Sequence, residues 1–152
     1  MVYEPPPSSF RTNKFRYDPQ GKEVLEALGL GIWMGEGSKG PRRVEVTNCD
    51  PKILRLWLQF LVEICGVAHE DIVLKINLHD PSRESEASRF WDQELGVCLR
   101  KQIPAKKVVV PNPKRKQLMG TCSLRFNSKF LQAHIEHRVD ELAEVLWDSS
   151  QG

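Results

Sequence analysis

The sequence predicts an α+β domain in which helices pack on an antiparallel sheet, and three observations predict it. Apolar residues recur at helical spacing over 21–36, 51–65 and 128–147. Between these stretches, residues 43–48, 72–79 and 123–127 alternate apolar and polar side chains with the period of two of a half-buried strand. A chain of 152 residues, 40% hydrophobic and 28% charged, is long enough for one domain with a sizeable core.

Taken in order, residues 1–20 are rich in proline, serine and charge and predict a flexible arm rather than core. Arg11, Lys14 and Arg16 make the arm basic, so it either tracks a phosphate backbone or is a solvated tail. The single domain then occupies 21–152. Its first helix runs over 21–36, and a strand follows at Arg43–Asn48. Asn48 and Asp50 supply caps for a second helix over 51–65. Pro51 suits its first position, Ile53, Leu54, Trp57, Leu58 and Leu61 form its stripe, and Gly66 ends it. In the next strand Ile72, Leu74, Ile76 and Leu78 alternate with Val73, Lys75, Asn77 and His79. His79 and Asp80 read as a strand end capped before Pro81. Residues 80–103 look inserted, with Ala87, Phe90, Trp91 and Leu95 on one face of a helix that ends at Gly96 and braces the sheet. Leu95-Gly96-Val97 faintly suggests a helix-turn-helix, but Pro104 leaves too little length for a recognition helix. Leu124 and Phe126 alternate with Ser123, Arg125 and Asn127 in the last strand. The last helix carries Leu131, Ile135, Val139, Leu142 and Leu146 on one stripe.

Composition excludes several classes. Cys49, Cys65, Cys98 and Cys122 are scattered without a paired spacing or a neighbouring histidine, which argues for free thiols in a reducing compartment and against a zinc site. No charged-then-apolar leader opens the chain, so a cytoplasmic location is expected. The longest apolar run is under half of the ~20 residues that a bilayer span needs, which predicts no membrane partner.

The most informative segment is 29–37, Gly-Leu-Gly-Ile-Trp-Met-Gly-Glu-Gly. Ala27, Gly31 and Gly35 are four apart and stack into a ridge with almost no side chain, along which another backbone can approach closely. Each helical glycine costs about 0.5–1 kcal/mol relative to alanine, so something is gained on that face. Leu25, Leu28 and Ile32 lie opposite, flanked by Leu30, Trp33 and Met34, so the helix reads as apolar all round and buried. A core helix that uses glycine to fit its own sheet explains the ridge but not Glu36. A carboxylate at the negative end of a helix opposes the macrodipole, at a few tenths to about 1 kcal/mol, and a cation would reverse that penalty. Gly37 is then the expected left-handed terminator.

This segment resembles the motif of the LAGLIDADG homing endonuclease family. Gly31 falls at its first glycine, Gly35 at its small residue, Glu36 at its second acidic position and Gly37 at its last glycine. The resemblance implies an α-β-β-α-β-β-α order, present here from Gly21 to Trp147, with a truncated first hairpin between Ser38 and Arg43 and an inserted helix between the third and fourth strands. With one copy of the motif, it implies a homodimer paired along Ala27, Gly31 and Gly35. Each subunit would contribute Glu36 as metal ligand and catalytic carboxylate, with Mg2+ or Mn2+ and no organic cofactor. Arg125 or Lys129 would be the basic residue that the family commonly places near its site. The implied activity is metal-dependent, site-specific cleavage of double-stranded DNA. Domesticated relatives of the fold that bind DNA without cutting imply the alternative of a regulator.

The strand pattern adds a surface for such a partner. Arg43, Glu45 and Thr47, then Lys75, Asn77 and His79, then Ser123, Arg125 and Asn127 share the polar parity, and most of these types suit base edges in a major groove. Polar residues line any solvated sheet face as well. The net charge of +2 says little, but no acidic residue occurs from Leu95 to Ile135. That window holds Arg100, Lys101, Lys106, Lys107, Lys114, Arg115, Lys116, Arg125 and Lys129, a basic patch expected to meet phosphates, and Lys39 and Arg42 are further DNA-binding candidates. Lys114-Arg115-Lys116 alternatively reads as a localisation signal or a solubility run.

Overall fold

The alternation at 43–48 forms strand β1 (Arg43–Asn48), and the later alternations form β2 (Val73–Asn77) and β4 (Thr121–Asn127). The computed structural model describes residues 2–6, 14–38, 40–97, 99–102 and 118–151. Among the described residues the α-helices are α1 (Glu23–Glu36), α2 (Pro51–Gln59), α3 (Glu84–Leu95) and α4 (Lys129–Gln151). A short β3 (Arg100–Gln102) completes a sheet of order β1-β4-β2-β3. β4 is antiparallel to both β1 and β2, whereas β3 runs parallel to β2. The protein is therefore α+β, with α3 interposed between β2 and the last strand. β3 lies within the segment that the sequence marked only as an insertion.

One face of the sheet is core. Val44, Val46, Leu74, Ile76, Cys122, Leu124 and Phe126 are buried with Leu54, Trp57, Phe60 and Leu61 of the second helical segment and with Leu131 and Ile135 of α4. Trp57 stacks on Trp33 and on Phe60, and its Nε1 donates to the Leu124 carbonyl at 3.1 Å, fixing α2 across β4. Asp50 caps α2 by accepting from the Lys52 amide, and Pro51 begins the helix. The segment loosens into a π-turn over Phe60–Ile64 before Gly66, whose φ of +65° and close approach to the Arg16 backbone suit glycine alone. Asp80 caps a turn by accepting from the Ser82 amide and hydroxyl. Trp91 anchors α3 through a 3.0 Å bond to the Met119 carbonyl.

The described parts of the N-terminal segment correct the expectation of a free arm. Tyr3 and Tyr17 pair as an antiparallel bridge, and the Arg16 and Asp18 amides donate to the Cys65 and Ile64 carbonyls. Phe15 and Tyr17 are core residues. Tyr17 also donates its hydroxyl at 2.5 Å to Glu26, a carboxylate only 2% exposed that Arg138 grips with Nε at 2.8 Å and Nη2 at 2.9 Å. Arg138 further pairs with Glu141. Burial and the Glu26 contact push the Tyr17 hydroxyl well above its usual range. Nothing in the helical pattern of α1 foretold a buried glutamate.

His134 of α4 stacks on Tyr3 at 4.2 Å and takes the edge of Tyr17 at 4.5 Å. Burial, then the neighbouring His137 and Arg138, hold its pKa below the ordinary 6.5, against a smaller opposite pull from Glu26 and Glu141. The unfolded chain therefore binds this proton more readily than the folded one. The corresponding stability is present above about pH 6.5 and is lost as pH falls below that value. His134→Phe keeps a ring in place without a titrating group, so denaturant midpoints measured between pH 7 and 5 should fall less steeply than in the wild type.

Candidate functional site: the outer face of helix α1 and the hairpin that follows

The first helix buries only one side. Glu26, Gly29, Leu30 and Trp33 face the core, and it is Gly29, not the predicted ridge, that makes the close intrachain approach, since a Cβ there would overlap the Phe60 ring. The opposite side is open to solvent, which corrects the expectation of a helix buried all round, and Leu28, expected opposite the glycine ridge, lies exposed beside it. Val24 is 75% exposed, Leu28 46% and Met34 60%, and Ala27, Gly31, Gly35 and Glu36 are exposed with them. A Cβ on Gly31 or Gly35 would meet nothing within 4 Å. These residues form one stripe at helical spacing, apolar from Val24 to Gly35 and ending on a carboxylate. Its exposed aliphatic side chains are a cost in a lone subunit and a gain once covered.

Beyond Glu36 the chain turns at once. Gly37 does not adopt the expected left-handed conformation: its φ of −70° and ψ of 142° are extended, and its amide donates to the Trp33 carbonyl at 2.9 Å. Glycine is required because a Cβ would strike that carbonyl and the Trp33 ring. The extended conformation lets Gly37 pair with Val46 and the Ser38 amide donate to the Glu45 carbonyl at 2.9 Å, so a short hairpin links α1 to β1. Glu36 stands exposed at its root. No basic residue occupies the last turn of α1, so this carboxylate opposes the helix dipole without compensation from its own helix.

The hairpin tip is held from a distance. Arg42 has a φ of +63°, the one non-glycine residue with positive φ among those described. For a side-chain-bearing residue that conformation costs about 1–2 kcal/mol. Gln132 of α4 holds it: its Oε1 accepts from the Arg42 amide at 3.1 Å, and its Nε2 donates to the carbonyls of Gly40 at 2.8 Å and Arg43 at 3.2 Å. The Ser128 amide donates to the Arg42 carbonyl at 2.8 Å. Nothing in the sequence pointed to Gln132, which reads as a solvated helix position.

The residues of the polar parity read from the sequence share one sheet face, but that face is largely closed, with Glu45 and Ser123 buried and its groups engaging one another. Glu45 and Arg125 face each other across β1 and β4 at 3.9 Å, and the Thr47 and Ser123 hydroxyls are 2.5 Å apart. Asn77 donates to the Thr121 hydroxyl at 3.5 Å. Thr47, Asn127, Arg42 and Arg43 are exposed, whereas Lys75, Asn77 and Arg125 are half-buried. Arg125 lies two strands across from Ser38, about 10 Å in backbone terms. Lys129 is exposed at the start of α4 with its Nζ over the Phe130 ring. Lys101, in the acid-free window, pairs with Asp92 at 2.6 Å. Lys39, Lys106, Lys107, Lys114, Arg115 and Lys116 lie outside the described residues.

Among the described residues no group of three or more histidine, cysteine, aspartate or glutamate side chains is placed to hold a metal ion. Cys49, Cys65 and Cys122 are free thiols, with burial raising Cys65 and Cys122 above the usual range. Among the described residues no helix is long and apolar enough to cross a membrane. Neither a family model, nor a curated protein, nor a solved structure matches the chain.

Proposed function

We propose that two copies of this chain pair along the outer face of α1, bind double-stranded DNA over the hairpin and the exposed ends of the polar sheet faces, and cleave it with divalent metal at the paired Glu36 carboxylates. The observation that carries this reading is the stripe itself: an apolar, glycine-opened helix face left to solvent, ending on an exposed carboxylate that lacks a positive partner on its helix. A two-fold axis along that stripe covers Val24, Leu28 and Met34 and brings two carboxylates together. It also gives the LAGLIDADG-type fold its dimeric form, with Gly37, Ser38 and β1 as the shortened first hairpin.

The donor set fits a hard cation. One carboxylate per chain is too few for a self-sufficient site, and two carboxylates with phosphate oxygens and water match what Mg2+ or Mn2+ takes. Bound there, the ion would supply charge neutralisation at the phosphate and an activated water. The chain's own contributions are distinct. Glu36 supplies the ligand oxygens, and α1 fixes their position by packing Trp33 and Gly29 into the core. Arg125 or Lys129 is the basic group of the proposal, and the exposed Arg42, Arg43, Thr47 and Asn127 meet the duplex. Pairing two carboxylates at two negative helix ends is unfavourable without a cation, so Mg2+ should tighten the dimer. A reducing, cytoplasmic setting accords with the free thiols.

A non-cleaving DNA-binding regulator is the second reading, favoured by the brevity of the hairpin, which offers little surface for reading a long target. Incubation of supercoiled plasmid and genomic fragments with the protein and Mg2+ or Mn2+ separates the two. Metal-dependent nicking or cutting supports the nuclease. Binding without cutting supports the regulator, and if about 6–10 phosphates are contacted the affinity should fall 10³- to 10⁵-fold between 50 and 200 mM salt. Absence of both overturns the proposal.

A further inference from the structure

We propose that the Gly40–Arg43 turn is a phosphodiester-contacting element and that Gln132 is its positioning residue; this rests on the DNA-binding reading above. Arg42 and Arg43 are adjacent, exposed, and make no ion pair or side-chain hydrogen bond through their guanidinium groups among the described residues. Most other described arginines differ: Arg16, Arg55, Arg83, Arg125 and Arg138 each have a carboxylate within 4 Å. Two neighbouring cations without acidic partners repel each other and gain from an anion placed between them.

The backbone beneath them is over-determined for a surface turn. Three bonds from one side chain, some ninety positions away in the chain, reach the Gly40 carbonyl, the Arg42 amide and the Arg43 carbonyl. Together they fix which end of the Gln132 amide faces which group and stabilise the left-handed Arg42. A turn that only had to reverse the chain would place glycine at that position. An arginine kept there at a conformational cost is explained if its side chain is needed in that direction. The turn is also the tip of the hairpin rooted at Glu36, only a few residues along the backbone, so a duplex seated with one phosphate at Glu36 has further phosphates within reach of the two guanidinium groups.

The experiment is equilibrium binding of a random-sequence duplex about two helical turns long, by fluorescence anisotropy across 50–200 mM salt, with thermal melts of each variant. Arg42→Ala/Arg43→Ala should weaken binding at least about tenfold and lower the salt slope by about two. Gln132→Ala should lose a large part of the same affinity and slope. In the Arg42→Ala/Arg43→Ala background, Gln132→Ala should cost nothing further, because a positioning residue has nothing left to position. Should Gln132→Ala fail to fold, Gln132→Met keeps the side-chain length and replaces it. An unchanged slope in Arg42→Ala/Arg43→Ala, or a Gln132 effect that persists in full without the arginines, overturns the inference while leaving the DNA-binding reading intact. A wild-type protein that binds no duplex overturns both.

Discussion

Glu36→Gln is expected to lower metal-dependent DNA cleavage by about 10²- to 10³-fold or more while leaving duplex binding within a few-fold of wild type. That range is what removal of a single preorganised electrostatic element costs, and in a homodimer one substitution removes both ligands at once. The amide is isosteric with the carboxylate, so packing at the end of α1 is unchanged. Glu36 is exposed and bonded to no buried group among the described residues, so the fold should melt as before. The same substitution has an opposite effect on assembly. With neutral amides at the paired helix ends, the dimer should form equally well with and without Mg2+, whereas the wild-type dimer should tighten on adding it. Cleavage assays and sedimentation equilibrium in Mg2+ and in chelator read the two effects separately. Retention of full cleavage by Glu36→Gln would remove Glu36 from the site.

Arg138→Met is expected to destabilise the fold by about 2–3 kcal/mol, a fall in Tm of about 4–12 °C for a chain of this size. Glu26 is buried on the inner side of α1 with three hydrogen bonds, two from Arg138 and one from Tyr17. Removal of the guanidinium leaves that carboxylate with the Tyr17 hydroxyl alone. Breaking a buried pair commonly costs 3–5 kcal/mol, but the Arg138 side chain is one-quarter exposed, so solvent screening reduces the figure. The double variant Glu26→Leu/Arg138→Met should recover much of the loss, since an apolar pair has no uncompensated charge. Thermal and denaturant melts of the three variants decide this. Equal destabilisation by the single and double variants would show that Arg138 acts through packing of its stem.

Much of the fold was legible because its signals are local. The period of two in residues 43–48 and 123–127 and the caps at Asp50 and Pro51 depend on neighbours in the chain, and these elements form where the sequence placed them. What was illegible depends on partners far away. Phe15 and Tyr17 lie in a segment whose proline and charge content reads as an arm, yet both are buried, Phe15 against the Tyr3 ring and Tyr17 against Phe60 and His134. The buried Glu26 breaks the apolar pattern of α1 and is held by Tyr17 of the presumed arm and by Arg138, more than a hundred residues on. Gly37 was expected to be left-handed from its place after a helix. Instead an antiparallel bridge to Val46 holds it extended, and the Trp33 ring, not φ, demands glycine there. The stripe of α4 fades for the same reason: Leu131 and Ile135 meet the core, but by Leu146 the helix has passed beyond it and the leucine is exposed.

The candidate site was legible in its residues and not in its supports. Ala27, Gly31, Gly35 and Glu36 do share one exposed face, although the sequence expected that face to be covered. Glu45 had been grouped only as one more polar residue of the sheet face, and its role as partner of Arg125 depends on strand register, which a single strand does not specify. The grip of Gln132 on a turn whose sequence is merely Gly-Pro-Arg-Arg has no local signal at all.

The central claim is that two α1 helices meet side by side with their Glu36 ends together, and inter-chain disulfide formation by Gly35→Cys tests it most directly. A glycine-opened parallel contact lets the two Cα atoms at position 35 approach to about the 4.4–6.8 Å that a disulfide spans. Antiparallel helices would instead set residue 35 against the other end of a helix about 20 Å long. The account predicts rapid, near-complete cross-linking on mild oxidation, faster with Mg2+ present, and little cross-linking for Ser149→Cys at the exposed end of α4. Cross-linking of Gly35→Cys no faster than that control would contradict it.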